Sequence, residues 1–489
     1  MTDLLNNATK VQNECLEKID SSLIEKSKRP HFHLASPCGW INDPNGLSFY
    51  KGQLHLFFQY HPYSNKWGPM HWGHAVTKDF LSWNFLPVAL APDTNADIDG
   101  CFSGTAMEDG DFHLIVYTGV VSDNAVQNQC IAIGDGVEYK KLENNPVITA
   151  RNIPFEYDVA HFRDPKVWKE NGTYYVAAVI KTKDKSGALV IFKSENLKEW
   201  KFVSVADRSE CKLGMMWECP DFFSIGENDV IVISPQEMKE DLEAGWHDGN
   251  NSVFMTGKMN RNEWKFNRKS VYQIDYGIDF YAPETTMLPD GRRIMMGWMH
   301  RWEGVSTPDD YLWTGMMTLP RELKINNGIV YQNPVRELEN KRINPVSGKI
   351  NLFVGKTTKA DGVRGRHFDL LISFEGISSD SGSLEIQIAS DEKYSTKINL
   401  DFGKYEMSFD RSRSGTRTDC ETFRKFKFEI PSDGKFDVRL VCDTCSAELF
   451  ACGGRYAFTN VFYSPLEAEE IKFTSSKTLS FDYNFYTLV

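Results

Sequence analysis

Hydrophobic and polar positions change rhythm near residue 30. Over 8–28, "ATKVQNECLEKIDSSLIEKSK", apolar residues recur at helical spacing and predict an N-terminal helix. Beyond it the apolar residues fall in short alternating or continuous runs, such as "YYVAAVI" (174–180) and "VIVIS" (230–234), broken by Gly, Asn, Asp and Pro. That pattern predicts an all-β protein. None of the runs approaches the ~18 apolar residues of a membrane span.

A weak repeat runs through the first 300 residues. "TKDFLSWNF" (77–85) is echoed by "SENLKEWKF" (194–202) and "MNRNEWKF" (259–266), and more loosely by "GDGVEYKKL" (134–142). The aligned aromatics are Trp83, Tyr139, Trp200 and Trp264, spaced by 56, 61 and 64 residues. A strand-built period of this size predicts a β-propeller, each echo being the turn into a blade's outer strand. Taken alone, the echo could also be the chance recurrence of a common turn.

Upstream of each anchor, where an innermost strand should begin, lies an unusual stretch. These are "WINDPNG" (40–46), "CFSGTA" (101–106), "HFRDPKVW" (161–168) and "MWECPDFF" (216–223); "DFYAPET" (279–285) would open a fifth blade. Inner strands converge on a propeller's axis, so these motifs should ring one pocket. From about 345 the chain alternates strand and turn, as in "GSLEIQIAS" (382–390), and predicts a separate β-sandwich. The expected organisation is a helical extension over 1–30, a five-bladed propeller over 31–340 and a β-sandwich over 345–489. The stretch 319–338 is expected to join the two domains, and 409–419 to form a loop.

Charge and composition narrow the ligand. A net charge of −12 argues against nucleic acid or an anionic membrane as a partner. An aromatic content of 13% suits a small polar ligand such as a sugar, whose rings stack on aromatic faces. The first 20 residues lack a basic and apolar secretory leader, so the chain as written is expected to be cytoplasmic, or else the mature part of a secreted protein. "CDTC" (442–445) has no second pair at zinc spacing and reads as buried thiols.

Three motifs carry a carboxylate: Asp43, Asp164 and Glu218. A pair of carboxyl groups is the usual equipment for glycoside hydrolysis, one ionised and one protonated. Asn42 and Asn45 could keep Asp43 ionised, and Arg163 could do so for Asp164. Trp217, Cys219 and Pro220 give Glu218 an apolar setting that suits a protonated acid. Hence Asp43 is expected to be the nucleophile, Glu218 the acid/base and Asp164 a stabiliser. Singly, each has a plain structural reading: a D-P-N-G turn, a strand-end ion pair, an exposed strand glutamate. At matching positions of a repeat, these readings are hard to hold together.

Two features do not support a metal. "NADIDG" (95–100) starts like a calcium loop, but Ala106 stands where its bidentate Glu should be. "HWGH" (71–74), near His55 and His61, lacks the spacing and the Glu of a zinc protease. No metal and no cofactor is expected.

In this order, "WINDPNG", "FSGTA", "FRDP", "ECPDFF" and "DFYAPE", with "GPMHWGHAVTKDFLSW" (68–83) and "GRRIMMGW" (291–298), resemble the β-fructofuranosidases of glycoside hydrolase family 32. That family comprises invertases, sucrose-6-phosphate hydrolases and fructanases. The similarity runs from about residue 31 to the C-terminus. It implies a five-bladed propeller with a C-terminal β-sandwich, and retaining hydrolysis of a terminal β-fructofuranosyl unit. It implies the same three carboxylate roles, with Asn42, Gln59, Trp67, Phe102, Ser103 and Arg163 lining the fructose site. Tyr281 and Trp298 would shape its rim, and Asp275 or Asp279 would contact the leaving group. Ile41 and Thr105 are conservative departures, and intact Asn42 favours hydrolysis over transfer. Sucrose is the expected substrate. The alternatives are a fructan hydrolase or fructosyltransferase, a sucrose-6-phosphate hydrolase using Arg292, Arg293, His300 or Arg301, and a non-catalytic sugar-binding propeller.

Overall fold

The computed structural model describes residues 2–417 and 419–489. Helix Asp3–Ser21 begins earlier than the apolar period suggested and breaks at Ser22, whose side chain caps a second short helix, Leu23–Ser27. Among the described residues, no helix is long and apolar enough to cross a membrane.

Five antiparallel sheets follow, in a five-bladed β-propeller. Their innermost strands are Gly39–Tyr50, Gly100–Asp109, Tyr157–Glu170, Met216–Ile225 and Tyr281–Met287, each containing or overlapping one of the unusual motifs. The anchors Trp83, Trp200 and Trp264 immediately precede the outermost strands of the first, third and fourth blades, and Tyr139 begins that of the second. The ring is closed by one segment: Trp313–Thr314 pairs in parallel with Gly39–Trp40, while Met316–Met317 pairs with Trp298 and Met299 of the fifth blade. The stretch 319–338 is largely not a linker. Most of it forms the fifth blade's outer strands, Arg321–Asn326 and Ile329–Pro334.

Each inner strand has a bulge of one extra residue beside its motif, and the first and third are irregular at a second place as well. The bulge beside the motif falls between Ile41 and Pro44, Phe102 and Gly104, Arg163 and Lys166, Glu218 and Asp221, and Tyr281 and Glu284. In the last three it is accompanied by positive φ at Asp164 (60°), Cys219 (46°) and Ala282 (51°), each just before a proline. Proline has no N–H to give to a ladder, so a bulge is where a strand tolerates it. The bulges re-aim one residue per blade, and Asp43 therefore belongs to a bulge inside a long strand rather than to the tight turn that D-P-N-G suggests.

From Arg342 on, two sheets of six and five strands form the C-terminal sandwich. Strand Ser383–Ser390 alternates buried and half-buried residues along most of its length, one face on the core and one near water, whereas the blade strand Asn228–Gln236 is buried almost throughout. Strand Glu406–Arg413 takes up the first half of 409–419, which was expected to be a loop; Thr418 lies outside the described residues.

Candidate active site

A pocket of about 440 Å³ opens where the inner strands converge, and it is lined by Asp43, Asp164 and Glu218 together. Burial first, and the charge of Glu218 second, push the Asp43 carboxyl up to about 6, against the pull of Ser103, Asn42 and Cys219. Ser103 Oγ donates to Asp43 Oδ2 at 2.6 Å and the Cys219 thiol approaches the same oxygen at 3.4 Å, while Oδ1 has no hydrogen-bond partner among the described residues. Asn45 faces elsewhere: its Oδ1 accepts from the Gly104 N–H at 3.2 Å. Asp164 Oδ2 accepts the Cys219 N–H at 2.9 Å, and burial raises this carboxyl to about 7 although Arg163 opposes it.

Glu218 does not have the apolar setting that its sequence neighbours suggested. It accepts from Arg163 Nε at 3.0 Å, Gln236 Nε2 at 2.8 Å and Tyr281 OH at 2.7 Å. Adjacent residues of a strand face opposite sides, and the fully buried Trp217 packs into the hydrophobic core between blades, donating to Leu213 O. Likewise Arg163 lies 3.9 Å from its sequence neighbour Asp164 but 3.0 Å from Glu218, so its main partner is in another blade.

Asn42, Gln59, Trp67, Phe102, Ser103 and Arg163 all line the pocket. Asn42 Oδ1 accepts Trp40 Nε1, Gln59 Nε2 donates to Cys101 O, and Trp67 meets Phe102 edge to face. Tyr281 sits behind Glu218 rather than on a rim. Trp298 is fully buried, stacked on His300 and edge-on to Trp302. Asp275 and Asp279 do not line the pocket: they are buried at the propeller–sandwich seam, paired with Arg321 and Arg411 respectively. These two are corrections, and their cause is chain direction. Both residues lie just before the fifth inner strand, on the side that hydrogen-bonds strand Tyr456–Val461 of the sandwich.

Met70, Asn124, Gln127, Ala160, His161, Gln236 and Trp302 complete the lining without having been singled out in the sequence. His161, within "HFRDP", Ala160 just before it and Met70, within "GPMHWGH", stood in or beside quoted motifs; Gln236 and Asn124 reach the pocket from a strand end and a loop. The calcium-like stretch is structural, with Asp97 paired to Lys141 and accepting from Tyr117 OH at 2.6 Å. A larger cleft of about 770 Å³ between propeller and sandwich lies away from the three carboxylates.

Residues 33–334 match the glycosyl hydrolases family 32 N-terminal domain, and 336–487 match the family's C-terminal domain. The chain is 35% identical over 461 residues to a sucrose-6-phosphate hydrolase of Zymomonas mobilis, covering 89% of this chain and 86% of that one. It is 40% identical to an Escherichia coli raffinose invertase, over 64% of this chain and 66% of the other. The solved structure of a Bombyx mori family 32 β-fructofuranosidase superposes with a TM-score of 0.83 at 28% identity, covering 98% of both chains. With both halves matched and the pocket carboxylates carried on its inner strands, the chain belongs to glycosyl hydrolase family 32.

Proposed function

We propose that the protein is a retaining β-fructofuranosidase that hydrolyses sucrose to glucose and fructose. The observation that carries this reading is the convergence of three carboxylates in one pocket, one pinned through a single oxygen and one held by three donors. Ionised Asp43 attacks C2 of the fructosyl unit as protonated Glu218 gives its proton to the departing glycosidic oxygen. Glu218, now a carboxylate, takes a proton from the water that attacks C2, which frees Asp43. Asp164 accepts hydrogen bonds from fructose hydroxyls and fixes the ring. Ser103 and Cys219 hold the nucleophile still, because much of the barrier is positioning. Asp43 must be ionised to attack, so activity should fall as pH drops through about 6.

A sucrose-6-phosphate hydrolase is the second reading, favoured by the name of the Zymomonas relative. The test is product analysis with purified protein. Equal release of glucose and fructose from sucrose, with β-fructofuranose as the first anomer seen by NMR, supports the proposal. Glucose in large excess over fructose means transfer to another sugar. An α-anomer first would refute double displacement.

A further inference from the structure

Beside its three carboxylates the pocket carries few cations, and that charge limits the leaving group it can hold. Among the described residues, the lining carries two basic side chains, Arg163 and His161. Arg163 is committed to Glu218 through Nε, and its Nη1 donates to His161 Nδ1 at 2.9 Å. A guanidinium has only donors, so Nδ1 must accept and the imidazole proton sits on Nε2. While that bond holds, the ring is neutral. Burial, then the charge of Arg163, lower its pKa below the ordinary value. Nε2 stands 3.9 Å from Asp158 Oδ2, beyond a hydrogen bond, and among the described residues this donor has no close partner.

The basic residues that the sequence offered for a phosphate are occupied elsewhere. Arg292 pairs with Asp290, Glu322 and Glu337, and Arg293 lies over the Phe223 ring. His300 is fully buried, and Arg301 pairs with Glu303 and Glu421. Lys181, on the strand beside the His161 segment, pairs with Glu237 at 3.5 Å. A phosphate dianion in the pocket would face three carboxylates and one guanidinium already in use.

We infer that the leaving-group half of this pocket selects an uncharged hexose over its phosphate ester, and that His161, held neutral by Arg163, enforces the choice by presenting Nε2–H to a sugar hydroxyl. The inference rests on the β-fructofuranosidase reading and names the substrate class of that site. The charged groups that face His161 are Arg163, Asp158, Lys181 and Glu218. A proton taken up by His161 breaks its bond to Arg163 and adds a cation, so the preference should weaken as pH falls.

The experiment measures kcat/KM for sucrose and for sucrose 6-phosphate between about pH 5 and pH 8, in wild type, His161→Gln and His161→Lys. Wild type should favour sucrose at least about 10-fold at neutral pH, less so at the acid end. His161→Gln should keep the preference and lose its pH dependence, and His161→Lys should move the ratio about 10-fold towards the ester. A wild type that prefers the ester, or a ratio unmoved in His161→Lys, overturns the inference and leaves the β-fructofuranosidase reading standing. Fructose released from neither substrate, nor from raffinose or inulin, overturns that reading itself.

Discussion

One buried cluster of charge lies in the pocket and another at the propeller–sandwich seam, and they are arranged to opposite ends. At the propeller–sandwich seam, Arg321 bonds Asp275, Glu448, Thr459 and Gln332, and His33 places its two ring nitrogens 2.7 Å from Asp443 and 2.9 Å from Glu448. The partners more than offset burial, so the Asp443 and Glu448 carboxyls are held below the usual range and His33 is raised to about 9. In the pocket burial wins instead: Asp43 and Asp164 rise to about 6 and 7, and Asp43 Oδ1 is left without a partner among the described residues. The seam joins two domains with paired charge. The pocket pairs Glu218 fully and leaves Asp43 underpaired, the arrangement of perturbed carboxyls found at functional sites.

The largest way to break this contrast is in the pocket. Asp43→Asn should cut sucrose hydrolysis by about 10⁴-fold or more, measured as initial fructose release, with the fold intact by circular dichroism. The seam should respond in stability instead. Arg321→Ala takes the guanidinium from two buried carboxylates, leaving Asp275 without a cation and Glu448 with His33 alone, and should cost about 3–5 kcal/mol in denaturant unfolding. An unchanged midpoint would mean that the seam does not hold the domains.

Asp43→Asn should also stabilise the protein at pH 7, by up to about 3 kcal/mol. The sign follows from the raised carboxyl: its contribution to stability is present below the unfolded value and lost as pH rises through about 6, so the neutral amide gains most above that. A variant that melts lower than wild type at pH 7 would contradict the underpaired pocket. The smallest effect is expected at His33. Its raised pKa stabilises fully below the unfolded value and is lost as pH rises through about 9. His33→Gln should cost about 2 kcal/mol at pH 7 and progressively less at higher pH, in thermal melts across that window.

Much of the propeller was legible because its period is written in side chains that punctuate strands. Trp83, Tyr139, Trp200 and Trp264 mark entries to outer strands, and the prolines after Asp43, Asp164, Cys219 and Ala282 mark inner strands that must bulge. Less legible were the neighbours of each carboxylate. Trp217 adjoins Glu218 in sequence yet packs into the core between blades, and Arg163 adjoins Asp164 yet serves Glu218. The family resemblance put Asp275 or Asp279 against the leaving group, but the sandwich claims both.

By itself, then, the sequence determined the strand period, the five convergent motifs and the identity of the three carboxylates, since these depend on local spacing and on residue chemistry. Only the tertiary structure decided which partner each charge meets, which carboxyls are raised and which lowered, and that His161 and Gln236 share the pocket. Those outcomes depend on which strand faces lie together across blades and domains, and on how far burial outweighs pairing at each group. Neither is a property of neighbours along the chain.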